Sequence, residues 1–157
     1  VGANQDRKLV GLMIITDKKK LKKPCKKVKS LTKGLDIGNK LLAELAQDPS
    51  GVGLAANQIG LDARVCVVKV INPIVLVNPK IIGKFGKISF QEGCLSFPGD
   101  YVITERYANV AVNADNHDTT LFFSTDKNTL ECVCVQHEID HLNGITMHDR
   151  RIDKHVE

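Results

Sequence analysis

Apolar and polar positions recur on two different periods along this chain, and the change of period marks its elements. Over 37–47 (IGNKLLAELAQ), Ile37, Leu41, Leu42 and Leu45 fall at helical spacing, which predicts an amphipathic helix with one core-facing stripe. Asp36 stands in the N-cap position, and Asp48-Pro49-Ser50-Gly51 stops the run. The next stretch, GVGLAANQIG (51–60), is rich in glycine and small residues. Two glycines two apart suit a backbone that must approach a ligand or another segment closely. Short β signals follow: valine-rich Arg64–Val70, apolar Ile74–Val77, and alternation in Phe85–Phe90 and in Val110, Val112 and Ala114. Asn116-His117-Asp118 predicts a turn, and Thr119–Phe123 a returning strand. Ser124 or Thr125 is placed to cap a last helix running to about Asn143, with Gly144 as its stop. The pattern is α+β: short antiparallel sheets packed around a C-terminal helix, with an amphipathic helix near the N-terminus. Leu9–Ile15 is apolar but short and lacks a small-residue cleavage site, so it reads as a first strand and no signal peptide is expected.

The length of 157 residues suits one domain, 1–157, with a real core, and the 43% hydrophobic and 25% charged fractions are ordinary for a globular chain. No apolar run approaches eighteen residues, so no membrane partner is expected. The five cysteines (Cys25, Cys66, Cys94, Cys132, Cys134) are odd in number and show no pairing pattern, which favours a reducing compartment. Cys66 and Cys132 lie in apolar runs and read as core. The net charge is +4, yet residues 18–33 hold nine lysines and no acid, so the remainder carries about −5. Such a run is most simply a solvated loop; it would also suit an anionic partner such as ribosomal RNA. The glycine-rich 51–60 stretch lacks the Gly-Lys-Ser/Thr ending of a phosphate loop, so no nucleotide cofactor is expected.

The sharpest chemistry is in QHEIDHLNG (136–144). On a helix, His137 and His141 project from one face a turn apart and can grip one metal ion. Glu138 lies beside them, where a carboxylate can take a proton from water activated by the metal. Gln136 and Asp140 flank the pair and either orient it through hydrogen bonds or face solvent. The spacing HExxHxxG follows a zinc-protease pattern through Gly144, but Met147 stands where a third histidine belongs and His148 comes one residue late. Sixteen residues follow His141 and their one glutamate is Glu157, a poor position for a ligand; His117 falls in a polar turn and His155 in a charged tail. Cys94, in QEGCLSFPG (91–99), is the best remaining donor, since a thiolate and two imidazoles leave a fourth position open. A lone cysteine there would equally serve as a small buried hydrophobe.

Three segments together, GVGLAANQ (51–58), EGCLS (92–96) and QHEIDHLNG (136–144), resemble the three signature motifs of peptide deformylases, in the same order and spacing. Asn78-Pro79, Arg106 and Asp149-Arg150 are lesser echoes. The resemblance spans about Ile14 to Arg150. It implies removal of the formyl group from the formyl-methionine of newly made polypeptides. It also implies that Cys94, His137 and His141 bind one divalent metal, usually Fe2+, with Zn2+, Ni2+ or Co2+ able to substitute. By the same resemblance Glu138 is general base and then acid, and Gln58 and the Leu95 backbone N–H stabilise the oxyanion. Gly53 and its neighbours would hold the substrate backbone. Val52, Cys134, Ile139 and the segment after Ser96 are candidates for the methionine pocket, and Glu92 and Arg106 for an ion pair fixing the Cys94 loop.

Thr146-Met147, where the family commonly has Leu-Phe, and the lysine-dense 18–33 depart from the family's pattern. They fit a bacterial, phage-borne or organellar enzyme acting in a cytoplasm or an organelle matrix. Two other readings compete: a small HExxH metalloprotease, opposed by Met147, and a basic RNA- or ribosome-binding protein with a structural metal, opposed by Glu138.

Overall fold

The computed structural model describes residues 14–153. A lysine-rich strap opens it: helix α1 (Lys18–Leu21), then an extended run to Ser30. Leu21, Cys25 and Val28 of the strap are buried while its lysines are exposed. Three anchors thus hold a cationic ribbon on the surface. Its backbone is bound as well: Cys25 N–H donates to Leu142 O (2.9 Å), and Asn78 brackets Val28 through Oδ1 and Nδ2 (2.8 and 2.7 Å). Residues 9–13 and His155 lie outside the described residues; Ile14 and Ile15, the described end of the expected first strand, belong to no strand, and Ile15 N–H donates to Gln58 O at 2.6 Å.

Helix α2 (Leu31–Leu45) begins six residues before the predicted start. Its N-cap is Ser30, whose Oγ accepts from Lys33 N–H at 3.2 Å, and Asp36 sits inside the helix. The reason is steric. The first two turns bury Gly34 and Gly38, which carry no hydrophobic signal, and a Cβ at either would clash with Val77 or Val75 of the sheet beneath. Leu41 and Leu45 continue that face.

Strands β1 (Gly53–Ala55), β2 (Val65–Lys69) and β3 (Pro73–Val77) form one antiparallel sheet in the order β1-β2-β3. A second sheet, β4-β5-β6, contains the long hairpin of β4 (Lys80–Cys94) and β5 (Phe97–Asn113), with β6 (Leu121–Ser124) on its flank. Both long strands extend well past their predicted segments, because each exposes polar residues along much of its length and shows apolar alternation only in parts. The hairpin turns at Leu95-Ser96, and its register shifts between Gly93 and Cys94.

Helix α3 (Thr129–Leu142) packs between the sheets. Asn128, rather than Ser124 or Thr125, is its N-cap, with Oδ1 accepting from Glu131 N–H at 2.9 Å. Ser124 instead ends β6 and closes a turn by accepting from Lys127 N–H. Gly144, at φ 73°, stops the helix as predicted, and a Cβ there would strike the Lys22 backbone of the strap. From Cys132 to Leu142 every side chain of α3 is buried, and Cys66 and Cys132 are core. The fold is α+β, with the motif-bearing helix at its centre. Among the described residues no helix is long and apolar enough to cross a membrane.

Candidate metal centre and active site

At 100° per residue, α3 divides into two faces. Cys134, His137, Glu138 and His141 share one of them; Gln136, Ile139, Asp140 and Asn143 share the other. The first face meets the end of β4. There Cys94 Sγ lies 3.4 Å from His141 Nε2, which is 3.2 Å from His137 Nε2. All three residues are buried, and theirs is the single such donor cluster among the described residues. Tetrahedral coordination at ordinary metal–ligand lengths sets two imidazole nitrogens about 3.3 Å apart, and a sulfur and a nitrogen about 3.5 Å apart. The donor set therefore fits one divalent ion. His117 is elsewhere, its Nε2 against Val75 O at 2.9 Å, and His148 faces Asp100. Met147 is buried with Leu21, Cys94, Phe97 and Val102, as packing rather than as a donor.

A buried chain of charges sets His137. Its Nδ1 faces Glu92 Oε1 at 2.7 Å, which turns Nε2 toward Cys94 and His141. Arg106 grips both oxygens of Glu92 (2.6 and 2.8 Å), and Thr104 Oγ1 donates to the same carboxylate. The Glu92–Arg106 pair expected from sequence is therefore present. Arg106 passes on to Asp140 (2.5 Å), and Asp140 accepts two hydrogen bonds from Arg150. Asp140 is thus a link in the chain and not a solvent-facing residue. Burial would raise the Glu92 carboxyl, but the bonds from Arg106 and His137 hold it well below the usual range. Burial likewise opposes charge on His137, yet Glu138 and Cys94 hold its imidazole up at about 9. His141 is driven well below the usual value by burial and by His137. A metal held by both rings would displace their protons.

The first motif closes the site from the other side. Gln58, 1% exposed, accepts Ala55 N–H at Oε1 (2.9 Å) and directs Nε2 toward Ser96 Oγ (3.1 Å) and Cys94 Sγ (3.6 Å). Its amide both stabilises the loop and presents N–H groups to the donor cluster. Leu95 follows Cys94 directly, with its side chain buried in the core under α2. Gly53 is required by contact: a Cβ would lie 2.5 Å from both Glu138 Oε2 and Cys134 Sγ. Cys134 Sγ is also 3.6 Å from Val52 O, and burial pushes its thiol up to about 12. Ile139 is core and lines a cavity on the opposite face of α3. Gln136 clamps Tyr107 of β5 through both N and O (2.9 Å each).

Sequence reasoning missed three supports. Asn57 binds His141 O through Nδ2 (2.6 Å), Ser96 receives Gln58, and Thr104 binds Glu92. The first two sit inside the quoted motifs, where their neighbours drew the attention. Thr104 carried no signal.

The family model described as polypeptide deformylase matches residues 12–157. This chain belongs to the polypeptide deformylase family. Among curated peptide deformylases, that of Hydrogenovibrio crunogenus is 42% identical over 132 residues, 79% of this chain and 75% of the relative. That of Aquifex aeolicus is 40% identical over 139 residues, 83% and 80% of the two chains. The solved structure of a peptide deformylase from Synechococcus elongatus in complex with actinonin superposes with a TM-score of 0.82 at 30% identity, over 98% of this chain and 87% of the other. Deformylases are metal-dependent hydrolases that remove the N-formyl group from newly made polypeptides, and this chain is an enzyme of that kind.

Proposed function

We propose that Cys94, His137 and His141 hold one divalent ion, Fe2+ in the cell and replaceable by Zn2+, Ni2+ or Co2+. We further propose that Glu138 carries the proton in hydrolysis of formyl-methionyl N-termini. The observation that carries this reading is the convergence of one sulfur and two imidazole nitrogens within 4.8 Å of one another, with His141 Nε2 3.4 Å from the sulfur and 3.2 Å from the other nitrogen, and Glu138 on the same helical face. When bound, the ion supplies Lewis acidity, which polarises the formyl carbonyl and brings the acidity of water toward about pH 7. Glu138 takes a proton from the attacking water. The new C–O bond leaves a tetrahedral oxyanion, toward which Gln58 Nε2 and the Leu95 N–H donate. Glu138 then delivers its proton to the amine as the C–N bond breaks and formate leaves.

Among the described residues strand β1 pairs with β2 alone, which leaves its other edge to take a peptide in extended form. Gly53 and Val52 on that edge hold the substrate backbone, and Val52 and Cys134 line the methionine pocket. Ile139 does not enter this reading, because it lies on the other face of α3. Residues 1–157 act as one catalytic domain. The exposed lysines of 18–33 face an anionic partner such as ribosomal RNA. Five free thiols suit a reducing cytoplasm or organelle matrix.

The test compares formate release from a formyl-methionyl tripeptide by the iron-loaded protein and by Glu138→Gln, beside an internal-cleavage assay. The parent releases formate, and the variant keeps its metal but loses about 10²–10⁴ in rate. A folded, metal-loaded parent that releases none overturns the reading, and internal cleavage would favour the metalloprotease instead.

A further inference from the structure

On the face of α3 opposite the metal ligands lies a cavity of about 560 Å³, walled by seven cationic and three acidic side chains. Each acid already has a partner. Asp140 is shared by Arg106 and Arg150, Glu105 pairs with Lys87 at 3.4 Å, and Asp149 is taken by Lys22 of the strap at 2.5 Å. Arg64 gives its guanidinium to neutral acceptors: Leu142 O, Asn143 Oδ1 and Pro79 O. Among the described residues neither Lys80 nor Lys84 has a carboxylate within ion-pair distance, and Lys84 Nζ rests 4.9 Å from the centre of the Tyr107 ring. Two further acids stand behind the walls, Glu92 on Arg106 and Asp153 on Arg151, so with Lys22 included eight cations meet five acids and a surplus of three positive charges remains around one concavity. Such charges repel one another, and an anion entering between them relieves the repulsion.

The strap continues this surface. Lys22 reaches the cavity wall at Asp149, and Lys26 O receives the backbone N–H of Arg64, another wall residue, at 2.8 Å. Of the strap's nine lysines, Lys22 and Lys26 alone have ion-pair partners among the described residues. A small anion would fill the cavity and leave the strap unmatched; a chain of regularly spaced phosphates matches both. We infer that the Lys80–Lys84–Lys87 cavity and the 18–33 strap form one docking face for the phosphate backbone of RNA. This deepens the reading given above, in which the substrate is a newly made polypeptide and so leaves a particle built largely of RNA. None of these lysines is a metal ligand or a partner of one, so deformylation of a free peptide does not depend on them.

The test titrates a fluorescent 24-nucleotide RNA hairpin with the metal-loaded full chain between 50 and 250 mM KCl. Binding is expected to weaken steeply with salt, with a log–log slope of about −0.7 to −0.9 for each phosphate neutralised. The triple variant Lys80→Glu/Lys84→Glu/Lys87→Glu, and separately Lys18→Gln/Lys19→Gln/Lys20→Gln, should each weaken binding about tenfold or more at 100 mM KCl and flatten the slope by about two. Both should keep parental kcat/KM on a formyl-methionyl tripeptide, which also reports that they fold. Should the glutamates prevent folding, the corresponding glutamines give the same comparison. The inference is overturned if the parent does not bind, if both active variants bind like the parent, or if poly-glutamate or anionic vesicles compete as well as RNA. Formate release in the same samples separates any such failure from a failure of the deformylase reading.

Discussion

His137 Nδ1 stands 2.7 Å from Glu92 Oε1, and neither side chain meets solvent. The carboxylate fixes which imidazole nitrogen faces Cys94, while Arg106 and Thr104 fix the carboxylate. Glu92→Gln leaves Arg106 buried with half its countercharge. The loss expected is about 3–5 kcal/mol in urea unfolding, together with about 10–100-fold weaker metal retention against a chelator. A variant that matches the parent in both would show the pair to be idle.

Acid should act through the same carboxylate. Glu92 is held below its unfolded value, so the stability it contributes is complete above about pH 4.3 and is lost as pH falls toward its folded value. Unfolding free energy measured from pH 6 to 2.5 should decline on the acid side of about pH 4.3. That limb should be shallower in Glu92→Gln, and an identical limb would point to other carboxylates.

Gly53→Ala places a methyl group 2.5 Å from both Glu138 Oε2 and Cys134 Sγ. Both atoms belong to the buried face of α3, so the carboxylate must leave its position or β1 must shift. Activity should fall by about 10²-fold or more, the cost of displacing a reacting group by roughly an ångström. The metal content should hold, since the atoms nearest the added methyl belong to Glu138 and Cys134 and not to Cys94, His137 or His141. Unimpaired kcat/KM in Gly53→Ala would refute the contact.

Gln58→Leu keeps the volume and removes the amide's hydrogen bonds to Ala55, Ser96 and Cys94. Loss of an oxyanion donor costs about 10²–10³ in kcat. A purely structural Gln58 would instead lower the melting temperature and leave kcat intact. Circular dichroism melts run beside the kinetics separate the two.

The chemistry was more legible than the architecture. HExxH names two ligands and a base through spacing alone, and α3 delivers them to one face. The third donor lies at the end of strand β4; elimination favoured Cys94, and the motif set tied it to the two histidines. The extent of α2 escaped notice because Gly34 and Gly38 pack by being small, which no hydrophobic period records. The cap of α3 was displaced because Ser124 and Thr125 are good caps that the chain spends on ending β6. Asp140 was ambiguous from sequence because its partner Arg106 is more than thirty residues away. The rear cavity draws its cations from two strands, the loop before β2 and the segment after α3, and so had no local pattern.

The strap does more than carry charge. Its Cys25 N–H caps the Leu142 carbonyl at the end of α3, and its backbone at Lys22 fills the space that only a glycine at 144 leaves free. Those contacts lie one and three residues beyond His141. A single tryptic nick among the exposed lysines would release the last turn of the histidine-bearing helix, so surface damage far from any substrate would be felt as slow loss of the metal.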